Sequence, residues 1–391
     1  MRILALTARF PYPPNRGDRL RAYNFIRSLS QEHEIHLISF IEQEAERAYI
    51  AEMEKYCAQV RVIRQNKIQS AMAIGLRILW QRDPLQVLYY RSRAMQALVD
   101  EMIRENTYDI AYVHLFRMAQ FVEHIPNLYR IIDLTDVISE EVRRSMPYRQ
   151  AASRTMFRLE GPRVVRYERW AANHFEESWL ISGHDASVLR QACPGSNIHV
   201  VRNGVDTKRF RPQPIATVPN RLLFVGHMSV FHNVDAATYL AQKILPLVRQ
   251  QIPEVTLRIV GAEPNTAAQA LDALPNVDVV GFVDDLNAEL NATQVFVAPL
   301  RFAAGVQNKV LEAMAAGRPV VTTPLVNQGI GAADGTHLLT GQTPDELAAR
   351  ILTLLRTPEQ RAKIGAAGML FVRGQYNWDL VRKRVGEIEY L

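Results

Sequence analysis

Cysteine is scarce: the chain of 391 residues holds two, Cys57 and Cys193. They form no CxxC pair and no ligand cluster, which excludes a disulfide scaffold or a structural zinc site and fits a reducing compartment. Long apolar runs are missing as well. No stretch reaches the roughly 18–20 apolar residues of a membrane span. The short run 3–8 between Arg2 and Arg9 reads as a first strand, not a signal peptide, so a cytoplasmic protein is expected. Neither half opens with G-x-G-x-x-G after its first strand, which argues against a plain NAD-binding protein. No Asp-x-Asp motif occurs, and although Asp284-Asp285 keeps that option open, metal independence is expected. The net charge is only +6, and most of the basic excess lies in the first 205 residues, with 28 Lys and Arg against 23 Asp and Glu. That bias suits an anionic membrane surface or a phosphate-bearing acceptor. No recognisable nucleic-acid module accompanies it, so nucleic acid is not an expected partner.

What is present points to a soluble two-part chain. Hydrophobic content of 48% with 22% charge is that of an ordinary globular protein, and the length favours two units near 200 residues each. The most informative stretch is 301–324, RFAAGVQNKVLEAMAAGRPVVTTP. An apolar strand precedes it, a small-residue turn at Ala303, Ala304 and Gly305 follows, a helix is predicted over 306–316, and 320–323 reads as the next strand. Strand, glycine turn, helix and strand in that order place a helix N-terminus at the carboxyl edge of a parallel sheet. Unpaired backbone N–H groups and the macrodipole favour an anion there, most naturally a phosphate. Lys309 and Glu312 share one face of this helix. They are either an exposed ion pair or a lysine for a diphosphate and a carboxylate for a ribose diol.

These residues resemble the nucleotide-sugar motif of retaining GT-B glycosyltransferases of the group 1 (GT4-like) family, usually Glu, seven residues, Glu, then Ala-Met-Ala-x-Gly-x-Pro-Val-Val. Glu312-Ala-Met-Ala-Ala-Gly317-Arg-Pro319-Val-Val321 matches the second half. The first glutamate falls at Ala304 and is missing, which bears on the family's sugar contacts. Gly305 to Met314 resembles a small-residue version found in a subset tied to bacterial exopolysaccharide clusters. The resemblance implies an α/β fold of GT-B type, two facing Rossmann-like domains with a donor cleft between them and a C-terminal helix crossing back to the first. The expected divisions are 1–203 for the acceptor, 204–374 for the nucleotide sugar and 375–391 for that helix. It further implies transfer of a hexose from a UDP or GDP sugar to an acceptor hydroxyl with retention, no separate cofactor, and a lipid-linked or polysaccharide acceptor. A peripheral position on the inner membrane face is compatible with that acceptor. A nucleotide-sugar epimerase or hydrolase, or an inactive scaffold, are the alternative readings.

Other positions take their candidate roles by the same resemblance. Gly17 follows a proline-rich loop and opens a helix, a second anion cradle, with Arg16 and Asp18 on the acceptor side. His114, at the end of a strand, is placed near the donor sugar. Asp133 and Asp136 follow another strand end, to bind an acceptor hydroxyl or cap a helix. Gly226 closes the first strand of the second half. His227 and His232 stand where the family commonly carries an arginine and a lysine for the diphosphate, which shifts that task to Lys309 and backbone amides. Gly305, Val306, Gln307 and Asn308 complete the donor loop, and Val283 lies in the loop whose backbone receives the base. Asn203-Gly204-Val205-Asp206 marks the seam between halves. Two surface features stand apart: an apolar patch at Met72, Ile74, Leu76, Ile78, Leu79 and Trp80, and eight arginines between 143 and 169, which read as a solvated face or a place for a lipid-linked diphosphate.

Overall fold

A computed structural model of the chain describes residues 1–66 and 82–386. The chain divides into two compact units, Met1–Arg202 and Asn203–Lys383. The apolar patch at 72–80 and the last residues of the predicted crossing helix lie outside the described residues.

In the first unit, strands β1 (Arg2–Thr7), β2 (Glu34–Ile41), β3 (Gln59–Arg64), β4 (Ile110–His114), β5 (Tyr129–Thr135), β6 (Glu177–Leu180) and β7 (Ile198–Val200) form one sheet in the order β3-β2-β1-β4-β5-β6-β7. All pairings are parallel. Near-continuous apolar strands such as 3–6 and 110–113 fit a sheet covered on both faces. The order reverses between β1 and β4, so the carboxyl ends of those two strands flank a topological switch point, where such sheets bind ligands.

The second unit repeats the plan with β8 (Arg221–Val225), β9 (Thr256–Val260), β10 (Val277–Gly281), β11 (Val295–Ala298), β12 (Val320–Thr322) and β13 (Leu339–Thr340), ordered β10-β9-β8-β11-β12-β13. Its switch point lies between β8 and β11. Every pairing is again parallel. The two sheets are the Rossmann-like pair that the sequence predicts.

Local differences have physical reasons. The region after β2 is a 3-10 turn over Glu44–Tyr49 followed by a short helix over Ile50–Glu54. The turn is locked by Gln43 and Glu46, which cap each other's backbone. Gly204 is more than a turn residue: a Cβ there would come within 2.4 Å of the Trp378 ring, so the chain needs its bare backbone to pass the helix Trp378–Gly386. Cys57 and Cys193 are both free and buried, and burial pushes the Cys57 thiol up to about 12.

Candidate functional site

In the second unit two helices start at the switch point. Phe231–Tyr239 follows β8, and Asn308–Ala315 follows β11; neither has a side-chain N-cap. Both helices therefore turn their N-terminal ends, the positive ends of their macrodipoles, to the carboxyl edge of the sheet, a setting that favours an anion. The Asn308 helix begins two residues later than predicted, because Gly305 sits at φ 59° and turns the chain before Gln307 enters the helix. Gln307 ties that turn by donating from Nε2 to the Ala304 carbonyl at 3.1 Å. A Cβ on Gly329 would stand 2.2 Å from the Gly305 carbonyl oxygen, so the turn is packed from behind by bare backbone.

Lys309 and Glu312 emerge from this helix, both half-buried. They are not bonded to each other. The Lys309 ammonium donates to Asn233 Oδ1 on the neighbouring helix and lies 5.2 Å from the centroid of the Phe224 ring. Burial depresses it to about 7, against an opposing pull from Glu312. Glu312 has no hydrogen-bond partner among the described residues. Burial lifts its carboxyl to about 7, with Arg209 and then Lys309 acting the other way. A half-buried ammonium and an unbonded carboxylate one helical turn apart are costly for folding alone, which is a common mark of a binding site.

Gly226 and Gly261 allow the loop after β8 to pass close. A Cβ on Gly261 would stand 1.7 Å from the Gly226 carbonyl oxygen, and one on Gly226 would meet Asn233 Cγ at 2.7 Å. His227 Nδ1 pairs with Ser229 Oγ at 2.9 Å, and its Nε2 faces Glu263 at 3.7 Å. His232 lies in the first turn of the Phe231 helix. Val283 is half-buried in the loop after β10, whose neighbour Asp285 caps the next helix by accepting from Ala288 N at 3.0 Å. Two participants carry no local signal in the sequence. Asn233 is one. The other is the Arg301–Asp235 pair, closed at 3.0 Å with the guanidinium 4.7 Å from the centroid of the Tyr239 ring. Both depend on contacts 66 or more residues apart in the chain.

The first unit carries a polar row across its carboxyl edge: Ser39, Thr7, His114 and Asp133 are register partners on β2, β1, β4 and β5. Thr7 donates to Ser39 at 2.8 Å. His114 is buried, its Nε2 meets no hydrogen-bond partner among the described residues, and burial lowers it to about 4 against the opposing pull of Asp133 and Asp18. It is a neutral imidazole at pH 7. Leu115, at φ 73°, and Thr135, at φ 65°, both sit in the left-handed region just past their strand ends, the strained backbone that concentrates at functional edges. Arg16 and Gly17 start the helix Gly17–Leu29. Beside them Asp18 accepts from Arg9 at 2.8 Å and faces Arg117 at 3.9 Å. Burial alone would raise that carboxyl, but Arg9, then Arg117 and His114, bring it below its ordinary value.

Asp133 departs from the expected acceptor role. It is fully buried and accepts from Arg21 Nε at 2.7 Å and Tyr112 OH at 2.6 Å, so it serves a core ion pair. Asp136 does not cap the following helix, whose N-cap is Val137. Burial, reinforced by Asp185 and Glu141, raises its carboxyl well above the usual range. The eight arginines fall on Ile138–Ser145, on the turn after it and on the helix Ala151–His174, where exposed Met156 and Leu159 lie among them. A depression of about 700 Å³ in this unit lies at the opposite, amino edge of the sheet, lined by Tyr108, Glu123, Asn127, Arg130 and Glu176 among others, and holds none of the candidate residues. No group of three or more His, Cys, Asp or Glu suited to a metal occurs among the described residues. No described helix is long and apolar enough to cross a membrane.

Comparison with known proteins bears on the second unit most directly. Residues 219–357 match the family described as glycosyl transferases group 1. A GDP-mannose-dependent monoacylated alpha-(1-6)-phosphatidylinositol monomannoside mannosyltransferase of Corynebacterium glutamicum is 28% identical over 48% of this chain and 54% of its own length. The chain thus spans about half the length of that relative. An uncharacterized 44.6 kDa protein of the cps region of Klebsiella pneumoniae is 21% identical over 96% of both chains. Among solved structures, Anabaena HepE in complex with UDP-glucose superposes with a TM-score of 0.68 at 16% identity, covering 99% of this chain and 98% of that one. That likeness shows a shared GT-B fold.

Proposed function

We propose, for a chain that belongs through residues 219–357 to the group 1 glycosyltransferases, that it moves a sugar from a nucleoside-diphosphate sugar to an acceptor hydroxyl with retention. The observation that carries this reading is the convergence, at one switch point, of two uncapped helix N-termini, a half-buried lysine and an unbonded carboxylate. The helix ends and Lys309 suit the two phosphates, and Glu312 suits a ribose diol as a bidentate acceptor. Gly226, Gly305, Val306, Gln307 and Asn308 shape the backbone around them. Val283 contributes main chain to the base.

In the reaction, the bond between the anomeric carbon and the β-phosphate oxygen breaks, and a bond to the acceptor oxygen forms on the same face. The acceptor proton passes to the departing diphosphate. The protein then positions the reactants and stabilises charge growing on the diphosphate. That division of labour fits a site with no pair of catalytic carboxylates. His114, neutral and with an unmet ring nitrogen, suits a sugar hydroxyl, and Arg16, Asp18 and Asp136 suit the acceptor side.

The names of the relatives support a GDP- or UDP-linked hexose and a lipid-linked acceptor. The cps-region relative adds weight to a role in cell-surface polysaccharide assembly. Ala304, where the family's first glutamate would stand, favours a second reading, a nucleotide-binding scaffold without transfer. Thermal unfolding with UDP, GDP and ADP, on wild type and Glu312→Ala, tests the donor site. Ligand at 100 times its dissociation constant adds about 2.7 kcal/mol, a shift of a few degrees. One nucleotide stabilising wild type and not the variant supports the reading, and no response to any of them overturns it. Nucleotide release that depends on added saccharide or lipid acceptor separates transferase from scaffold.

A further inference from the structure

We infer that Asn233 is a positioning residue that fixes the Lys309 ammonium for the donor diphosphate, a role that rests on the donor-site reading above. Asn233 is the third residue of the Phe231 helix and is 5% exposed. Both ends of its amide are engaged. Oδ1 accepts from Lys309 Nζ, and Nδ2 donates to the His227 carbonyl at 3.0 Å. The chemistry settles the orientation of the amide, because an ammonium can only donate and a carbonyl can only accept. Asn233 therefore joins the loop after β8 to the side chain that crosses from the helix after β11.

The backbone around Asn233 is arranged to keep it there. Gly226 leaves room for its side chain, since a Cβ at that position would stand 2.7 Å from Asn233 Cγ. Gly261 in turn lies against the Gly226 carbonyl oxygen, at 1.7 Å from where its own Cβ would be. Two strand-end glycines thus bring the loop close enough for one amide to span the gap. Below the ammonium the Phe224 ring closes the other side. A lysine stem has four rotatable bonds and many conformers. Held by an oxygen on one side and an aromatic face on another, its head stays beside both helix N-termini. The loop after β8 and the helix that follows it, residues 226–239, carry histidines at 227 and 232 and no lysine or arginine, so the placement of this one ammonium carries more of the phosphate recognition.

The test measures affinities for UDP, UMP, GDP and GMP by calorimetry on wild type, Lys309→Ala, Asn233→Ala, Asn233→Asp and the Lys309→Ala/Asn233→Ala double variant. The expected result is that Asn233→Ala weakens the diphosphate by about tenfold and leaves the monophosphate within a factor of about two. Asn233→Asp, close to isosteric, costs more, because its carboxylate pairs with Lys309 and repels the diphosphate. In the Lys309→Ala background the second change has no further effect, as a residue acting through Lys309 requires. Equal losses for diphosphate and monophosphate, or full additivity in the double variant, overturn the inference by showing Asn233 to be only structural. If Lys309→Ala itself leaves the diphosphate-to-monophosphate ratio unchanged, or wild type binds no nucleotide, the donor-site reading falls, and the inference with it.

Discussion

Raising the pH above 7.5 should weaken nucleotide-diphosphate binding through Lys309. Burial holds this ammonium near 7, so at alkaline pH the free protein carries it mostly neutral, and a bound diphosphate must recover the proton. Each pH unit above the free value then costs about 1.4 kcal/mol, or tenfold in affinity, until the higher value of the complex is reached. Between pH 7.5 and 9.5 the loss is up to about 100-fold. Glu312, raised to about 7, finishes ionising in the lowest unit of that window, so the slope from about pH 8.5 upward is the one that reports Lys309. Folding runs in the opposite sense. The unfolded chain binds the Lys309 proton up to its ordinary value of 10.5 while the folded one releases it near 7, so this group's contribution to stability grows as pH rises across that interval. A fall in binding is therefore not a fall in folding. Calorimetric titration of UDP or GDP at half-unit steps reads the slope, with Lys309→Arg as the control, because a guanidinium stays charged throughout. A flat wild-type profile, or the same slope in Lys309→Arg, refutes the assignment.

Three further outcomes can be checked directly. Gly261→Ala drives a methyl into the Gly226 carbonyl and should lower stability by about 3 kcal/mol or more, seen as a lower urea midpoint at unchanged slope. Asp133→Ala leaves the Arg21 guanidinium, 1% exposed, without its carboxylate; the expected cost is about 3–5 kcal/mol in the same assay. His114→Ala should cut the transfer rate while leaving UDP or GDP affinity within a factor of about two, since the proposed partner of the imidazole is the sugar; an equal loss in nucleotide affinity would remove that role.

The parallel-sheet plan was legible because buried parallel strands read as continuous apolar runs and because helices alternate with them. The donor stretch was legible for a different reason. A small-residue turn, a helix with two polar residues on one face and a strand lie together within 24 residues, so local spacing alone aligns them with one sheet edge. Asn233 and the Arg301–Asp235 pair were not legible, since they exist only once the ends of β8 and β11 are adjacent. Asp133 misled for the opposite reason. A carboxylate at a strand end looks like a ligand-binding group, and only the arrival of Arg21 and Tyr112 from other elements turns it into a core ion pair. Gly204 stood in the sequence only as part of the seam between halves, and its packing requirement is imposed by Trp378, more than 170 residues later.

The histidines at 227 and 232 provide the sharpest test of where the phosphate charge now resides. If Lys309 has taken over the work of a lysine at 232, removing it should weaken diphosphate binding by about 10- to 150-fold, the range of a charge-assisted hydrogen bond of about 1.5–3 kcal/mol. Position 232 immediately precedes Asn233, the acceptor of the Lys309 ammonium, on a helix whose N-terminus has no side-chain cap. A lysine there starts beside the same anion site from the opposite helix. His232→Lys in a Lys309→Ala protein should therefore recover at least half of the lost binding free energy for UDP or GDP and change UMP or GMP binding by less than about twofold. The same substitution in wild type should add much less, because two ammonium groups in one site repel and compete for the same oxygens. Equal gains in both backgrounds would mean that the two positions act independently, and that the charge at 309 is not a relocation of the one missing at 232.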